Sequence, residues 1–126
     1  MSNINDLLLK VLHKFPAEFS HNIAIKSLKY GLINSKNISA KNLNVKIGNI
    51  SFEHPIGIAA GFDKNAETIN NIDKIGASHI EVGTITPKKQ YGNIKPRIFR
   101  LSKDNAIINS LGFPSKGMDY VVKRIF

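Results

Sequence analysis

Apolar positions near the start of the chain recur at the spacing of two amphipathic helices. The first helix is predicted over residues 6–15, where four apolar residues follow the i, i+3, i+4, i+7 pattern: Leu8, Val11, Leu12 and Phe15. Pro16 fits the first turn of a second helix, in which Glu18 complements the helix dipole. The apolar stripe of that helix consists of Ile25, Leu28 and Leu32. These two predicted helices, joined at Pro16, indicate a helical hairpin. The hairpin is either a packed cap or a docking surface for a membrane or an apolar ligand.

The next pattern is alternation around a turn. Residues 34–42 are polar and predict a linker. Apolar and polar residues then alternate on both sides of Gly48-Asn49, over residues 45–52, which predicts a short β-hairpin. Pro55 has no amide hydrogen to donate, so it limits how far the strand pairing extends.

A strand, a helix and a second strand are predicted within one short region. IGIAA, residues 56–60, is a short apolar strand, and HIEVGTI, residues 79–85, is another. Between them, residues 65–76 place three isoleucines on one helix face and end at Gly76. This order is a βαβ unit, so we expect the two strands to be parallel.

The last part of the chain is less regular. RIFRL, residues 97–101, predicts a strand, residues 104–117 predict a loop, and residues 117–126 begin a helix. Parallel strands need neighbours on both edges and helices on both faces. Because a barrel of eight βα units takes roughly 250 residues, the pattern is typical of the first third of a larger α/β fold.

Composition narrows the class of protein. The 126 residues are 42% apolar, include no cysteine and carry four scattered histidines, so we expect neither disulfides nor a metal site. The polar start, MSNIND, lacks the basic region of a signal peptide and favours a cytoplasmic protein. The net charge of +9 favours anionic partners. The lysines form no dense block, however, and no motif supports nucleic-acid binding.

HPIGIAAGFDKNAE, residues 54–67, has a bare backbone beside a lysine. Gly61 follows the first predicted strand, and Lys64 lies at that strand's C-terminal end, where α/β folds place their ligands. A bare backbone lets a flat ligand approach the main chain, and a lysine there can hold a phosphate, a carboxylate or an electron-rich ring atom. The spacing matches neither the G-x-x-x-x-G-K nor the G-x-G-x-x-G pattern. The alternative is a tight turn with a solvated lysine.

Two later stretches add polar groups, and the first of them, at Thr84, lies at the same predicted rim as Lys64. Thr84 ends the second parallel strand, and Asn109 follows two isoleucines, where its amide can pair with a planar ligand. Each residue also fits an ordinary turn or loop. Five basic residues between them are expected to form a solvated ribbon: Lys88, Lys89, Lys95, Arg97 and Arg100.

Together, these stretches resemble motifs of the dihydroorotate dehydrogenases, and more narrowly of the membrane-associated, quinone-reducing class 2. The first motif is PIGIAAGFDKN, residues 55–65. The second lies in residues 81–101 and includes EVGT, TP, GN, KPR and FRL, and the third lies in residues 107–113 and includes IIN and GF. The resemblance covers about residues 16–124. It implies an α/β fold, the N-terminal part of a flavin-binding (β/α)8 TIM barrel preceded by a helical hairpin and a β-hairpin. Residues 1–42 would form a quinone- and membrane-facing unit, and residues 43–126 the β-hairpin and the first βα units.

The resemblance also implies roles by position. FMN contact is implied for Ala60, Gly61, Lys64 and Thr84. Substrate contact, with dihydroorotate or orotate, is implied for Lys64 and for a loop of five residues: Asn109, Ser110, Leu111, Gly112 and Phe113. In the implied reaction, a step of pyrimidine biosynthesis, a serine takes the C5 proton while C6 gives hydride to FMN, and a quinone reoxidises the flavin. The implied location is peripheral, at the cytoplasmic side of the cell membrane.

The chain departs from the family pattern in its substrate loop and in its length. Ser110 stands where the family has arginine, and Pro114 where it usually has asparagine, so we expect this loop to differ. The family's catalytic serine has no counterpart up to Phe126, and we expect these residues alone not to catalyse. The alternatives are a truncated remnant and a membrane-surface module. A nucleic-acid binder has only charge in its favour.

Overall fold

A computed structural model describes residues 4–33 and 42–126 of the chain. Its first elements are two helices, α1 (Ile4–His13) and α2 (Ala17–Lys29), which contact each other as the predicted helical hairpin requires. No helix in the described ranges combines the length and the apolar character needed to span a bilayer. The predicted linker over residues 34–42 lies, except for its last residue, outside the described part of the chain.

The boundaries of α2 differ slightly from the prediction. Pro16 has extended dihedrals, φ −51° and ψ 139°, so it precedes the helix as its N-cap and is not part of the first turn. The helix ends at Lys29, which leaves Leu32 beyond it and largely exposed. The stripe formed by Ile25 and Leu28 is buried as predicted.

The predicted hairpin around Gly48-Asn49 is confirmed. Strand β1 (Val45–Ile47) pairs antiparallel with β2 (Ile50–Phe52). Gly48 lies at φ +60°, a left-handed conformation that glycine adopts without steric cost.

A second hairpin corrects the prediction of a loop over residues 104–117. Strand β3 (Ile98–Leu101) pairs antiparallel with β4 (Ala106–Asn109), and Ile98 lies opposite Asn109. The two apolar runs flank a polar turn that contains Asp104 and Asn105, a combination typical of hairpins. The pairing places Asn109 next to the N-terminal end of β3.

The predicted βαβ unit is present in reduced form. Its two strands contract to one parallel bridge between Ile58 and Ile80. In that bridge Ile58 N donates to His79 O at 3.0 Å, and Glu81 N donates to Ile58 O at 2.8 Å. The parallel direction is confirmed, whereas the predicted strand lengths were too great. Buried parallel strands are stabilised by neighbours on both edges, and the two-stranded sheets of the described residues supply none here.

The predicted helix over residues 65–76 is a shorter 3₁₀ segment, Ile69–Ile75, with a non-helical residue at Asn71. It starts late because the preceding residues fold around the carboxylate of Asp63, as described below. Its end at Gly76 agrees with the prediction. The chain finishes with the predicted C-terminal helix, α3 (Met118–Ile125).

The apolar core is small and lies around α2. This helix contacts the 3₁₀ segment and β3. The buried apolar residues lie in α2, in and around the 3₁₀ segment, and in α3: Ile25, Leu28, Ala66, Ile72, Ala77 and Val121. Helix α2 therefore forms a wall behind the loops that carry the predicted site residues.

Candidate functional site

The three predicted stretches meet at one cavity of about 410 Å³. Its lining residues come from three separate segments: Gly61, Lys64, Gly83, Thr84, Asn109, Leu111, Gly112, Phe113 and Pro114. Two predicted site residues, Ala60 and Ser110, are exposed and do not line the cavity. The volume lies within the roughly 300–1,000 Å³ typical of small-molecule sites.

One wall of this cavity is bare main chain. At Gly61, with φ +105°, a Cβ atom would meet no other atom within 4 Å, so the backbone faces open space. Gly83 lies on the same cavity, and its amide donates to the Asp63 carbonyl at 3.1 Å, which joins the first two stretches. A flat ligand can therefore approach the main chain closely on this side.

Lys64 provides the cation of the cavity. The side chain is partly buried, and Nζ donates to the Gly61 carbonyl at 2.5 Å. Burial lowers the pKa of Lys64 below that of an ordinary lysine, while the carboxylate of Glu18 opposes part of this shift. A fixed, poorly hydrated cation stabilises developing negative charge more strongly than a cation in water does.

Asp63 fixes the turn that presents Lys64. Its carboxylate is 1% exposed and accepts three hydrogen bonds, from Thr68 N at 2.6 Å, Thr68 Oγ1 at 2.8 Å and Asn65 N at 3.1 Å. Asp63 lies within the stretch of residues 54–67 and was not among the predicted site residues. An aspartate just before a predicted helix is a capping signal that points to it.

The third stretch forms a loop, residues 109–113, which we call the site loop. Asn109 Oδ1 accepts from Leu111 N at 3.3 Å, a local contact that turns the chain. Phe113 follows with a positive φ of 53° and an exposed ring. Pro114 also lines the cavity, at the position where the sequence analysis noted a departure.

The prediction of a solvated basic ribbon is wrong at Arg97. This side chain is 6% exposed, and it forms a two-pronged ion pair with Glu18, Nη2 to Oε1 at 2.6 Å and Nε to Oε2 at 3.3 Å. The hydrogen bonds from Arg97 lower the pKa of Glu18. Lys88, Lys89 and Lys95 are exposed as predicted, whereas Arg100 is half-buried and its Nη1 group donates to the Phe15 carbonyl at 2.6 Å. No local pattern separates Arg97 from these lysines, because its partner lies 79 positions away.

A second cavity of about 300 Å³ lies on the other side of Lys64. Helix α2 contributes Glu18, His21, Asn22 and Ile25 to its wall, and Phe62 and Lys64 lie opposite. The His21 ring meets the Phe62 ring edge-on, with centroids 5.5 Å apart. Burial lowers the pKa of His21, and the Lys64 charge lowers it further, so the neutral imidazole is favoured. Lys64 therefore lines both cavities.

The chain is similar to known proteins over most of its length. The family model described as dihydroorotate dehydrogenase matches residues 42–126. The mitochondrial dihydroorotate dehydrogenase (quinone) of Cyclocybe aegerita is 45% identical over 116 residues, which are 92% of this chain and 35% of that protein. The dihydroorotate dehydrogenase (quinone) of Brucella anthropi is also 45% identical over 116 residues, covering 92% of this chain and 32% of its own length.

A solved structure agrees with these matches. The crystal structure of DHODH from Eimeria tenella in complex with ferulenol has a TM-score of 0.80 and 48% sequence identity. The match covers 86% of this chain and 29% of that one. The chain thus spans about a third of the length of the relatives it matches.

Proposed function

Because this chain belongs to the dihydroorotate dehydrogenase family, we propose that it forms part of an enzyme that oxidises dihydroorotate to orotate, with FMN as cofactor and a quinone as acceptor. The observation that carries the proposal is the single cavity that Lys64, Thr84 and Asn109 share. The names of the relatives, which include a quinone, support the choice of acceptor.

We propose that residues 43–126 are the first part of a (β/α)8 barrel, and that residues 1–42 form its quinone- and membrane-facing unit. The parallel bridge between Ile58 and Ile80 supports a barrel start, because parallel neighbours are the repeating unit of that fold. The cavity lies just after these two strand positions, at the carboxyl ends where such barrels bind ligands.

The residues present fit a flavin. The open backbone face at Gly61 admits a flat ring, Lys64 adds a cation, and Thr84 adds a hydroxyl group. We propose that these three residues hold FMN; Ala60, to which the resemblance gives the same role, does not line the cavity. When bound, FMN supplies a ring that accepts hydride from the substrate and passes electrons to the quinone. Lys64 would stabilise negative charge near the ring because its own position is fixed by Gly61 and Asp63.

The site loop would hold dihydroorotate against the flavin. Asn109 offers an amide that matches the donors and acceptors of the orotate ring. Gly112 and Phe113 line the same cavity. Ser110 and Leu111 complete the loop as the proposed substrate-binding segment. We propose that the proton acceptor is a serine outside these 126 residues, so the chain by itself does not turn over.

The second cavity is the proposed side of quinone approach. It lies between α2 and Lys64, directly next to the proposed flavin cavity. Leu7, Leu8 and Leu9 of α1 are each more than half exposed, which favours contact with lipid. We propose a peripheral location at the cytoplasmic side of the cell membrane, next to the lipid in which the quinone is dissolved.

Dihydroorotate-dependent reduction of a soluble quinone analogue by the protein purified from its own cells tests this function. Lys64→Ala should lower kcat/KM by about 10²–10³-fold, the usual effect of removing a charge-stabilising group. Lys88→Ala, which removes an exposed lysine of the same charge, is the matched control and should change it less than about twofold. Because the 126 residues alone are not expected to turn over, the assay needs a preparation that also contains the remaining barrel segments. No dihydroorotate oxidation by that wild-type preparation, or full activity in Lys64→Ala, would contradict the proposal.

A second candidate function is a membrane-surface module without catalysis. The exposed apolar face of α1, together with the +9 charge, favours it. Co-sedimentation with anionic liposomes that disappears on deletion of residues 1–33, in a protein that binds neither FMN nor orotate, would favour this function over the enzyme.

A further inference from the structure

Four consecutive carbonyl groups of the site loop are held by one neighbouring segment, residues 90–97. Asn93 Nδ2 donates to the carbonyl of residue 110 at 2.8 Å, and Asn93 N donates to that of residue 111 at 3.0 Å. Gln90 Nε2 donates to the carbonyls of residues 112 and 113, at 3.0 Å each. In return, the Ser110 amide donates to the Arg97 carbonyl at 2.9 Å. The conformation of the site loop is therefore set largely from this one side.

The site loop and residues 90–97 approach each other too closely for a side chain at Gly92 or at Gly112. A Cβ atom on Gly92 would lie 2.2 Å from the Leu111 carbonyl oxygen, and one on Gly112 would lie 2.7 Å from Asn93 Cγ. Distances below 3.0 Å require something to shift. The contact therefore leaves the site loop little room to move toward residues 90–97.

Arg97 joins this contact to helix α2. Its Nη1 group donates to three carbonyls, of Tyr91 at 2.6 Å, Asn93 at 3.0 Å and Leu111 at 3.4 Å. Its other two nitrogens hold the Glu18 carboxylate in the first turn of α2. A planar guanidinium with partners on every edge has one favoured orientation. Arg97 therefore links the helix, residues 90–97 and the site loop through a single buried group.

We propose that Arg97 is a positioning residue that, held by Glu18, keeps the site loop in the conformation that binds the substrate. It lines the second cavity and not the first, and its effect on the substrate passes through the Leu111 carbonyl and the neighbouring Asn109. The identity of that ligand, dihydroorotate or orotate, rests on the proposed function, whereas the mechanical link does not.

Amide hydrogen exchange in the ligand-free whole protein tests the link directly. Arg97→Lys keeps the charge but removes the planar fork, so exchange at the amides of Ser110 and Leu111 should become about tenfold faster. Amides of α2 and α3 should change less than about twofold, whereas a general loss of stability would accelerate all of them. Lys95→Ala, which removes an exposed cation from the same Glu18 carboxylate, is the matched control. Unchanged exchange at Ser110 and Leu111 in Arg97→Lys would overturn the proposal.

Binding measurements add a second readout. Arg97→Lys should weaken orotate binding about tenfold while FMN affinity changes less than about twofold, because Gly61 and Thr84 are untouched. Equal weakening of both ligands would overturn the proposal. If Arg97→Lys does not fold, Glu18→Gln is tested with the same two measurements. We expect about threefold faster exchange and about threefold weaker orotate binding, and no change in either would contradict the proposal. If the wild-type protein binds no orotate, the proposed function fails while the exchange comparison still decides the link.

Discussion

Helices α1 and α2 are neighbours along the chain, yet their apolar residues differ sharply in exposure. In α1, Leu7, Leu8 and Leu9 are each more than half exposed. In α2, Ile25 and Leu28 are buried. Both helices show apolar residues at helical spacing, so the pattern alone does not distinguish a covered face from an uncovered one.

The attachments of the two helices explain the difference. Helix α2 contacts the 3₁₀ segment and β3, and Glu18 ties its first turn to Arg97. The described polar contacts of α1 with the rest of the chain lie at its C-terminal end, where Ser20 Oγ donates to the Leu12 carbonyl at 2.6 Å and Arg100 Nη1 to the His13 carbonyl at 3.2 Å. Thus α2 belongs to the wall of the site, whereas α1 is held at one end and presents Leu7, Leu8 and Leu9 outward.

The largest expected effect comes from the core of α2. Leu28 is 1% exposed, so Leu28→Ala should lower the free energy of unfolding by about 3–5 kcal/mol through lost burial and a residual cavity. Leu9→Ala in α1 is the matched substitution and should cost less than about 1 kcal/mol. Denaturant unfolding of the two variants measures both. Equal losses would show that α1 is as deeply packed as α2.

The next largest effect depends on pH. Glu18→Gln should cost about 1.5–3 kcal/mol at neutral pH, the range for hydrogen bonds to charged groups. Because Arg97 lowers the pKa of Glu18 in the folded protein, the stabilisation is fully present above the unfolded value of 4.5 and is lost as pH falls through the lowered folded pKa.

The measurement is the difference in unfolding free energy between wild type and Glu18→Gln across this range. It should be constant above pH 4.5 and shrink below it. Lys95→Ala should change stability less than about 0.5 kcal/mol, because that side chain is 62% exposed. A difference that grows as pH falls would refute the assignment of the pair.

A smaller effect is expected at the junction of the helices. Ser20→Ala removes the hydroxyl that holds the Leu12 carbonyl, which should cost about 1 kcal/mol. Hydrogen exchange should become faster in α1 and remain unchanged in α2, since only α1 is held through this contact. Ser27→Ala, on the same helix, serves as the control.

The smallest effect on stability is expected on the outer face of α1. Leu8→Ser should change the free energy of unfolding by less than about 0.5 kcal/mol, because the side chain is already exposed. The binding of the Leu8→Ser variant to anionic liposomes should nevertheless be about tenfold weaker than that of the wild type if this face of α1 contacts lipid. Unchanged liposome binding would remove α1 from the proposed membrane surface.

Much of the local structure followed from neighbouring residues. Gly48-Asn49 predicted a hairpin, and Gly76 predicted the end of the segment before it. Lys64 and Thr84 were expected at one rim and line one cavity, whereas Asn109, which lines the same cavity, was assigned to the site only by the family resemblance. Turn chemistry and helical spacing are properties of residues close in sequence, so they can be recognised without the fold.

Other features required partners far away in the chain. Strand β4 forms because Ala106–Asn109 pairs with β3. The polar residues Asp104 and Asn105 indicate a turn in the sequence, but we interpreted this region as a loop. The strands at Ile58 and Ile80 contract to one bridge because parallel pairing depends on neighbouring strands. The sequence pattern alone therefore missed strand β4 and overestimated the lengths of the two parallel strands.

By itself, the sequence determined the helical hairpin, the parallel direction of one strand pair, the family and most of the residues that line the first cavity. Only the tertiary structure decided which basic residue is buried. Arg97 and Lys95 are two positions apart, yet Arg97 is enclosed and Lys95 is exposed beside the same Glu18 carboxylate. The cost of burying a charge is offset only where a counter-charge and carbonyl oxygens converge, and that convergence is a property of the folded chain.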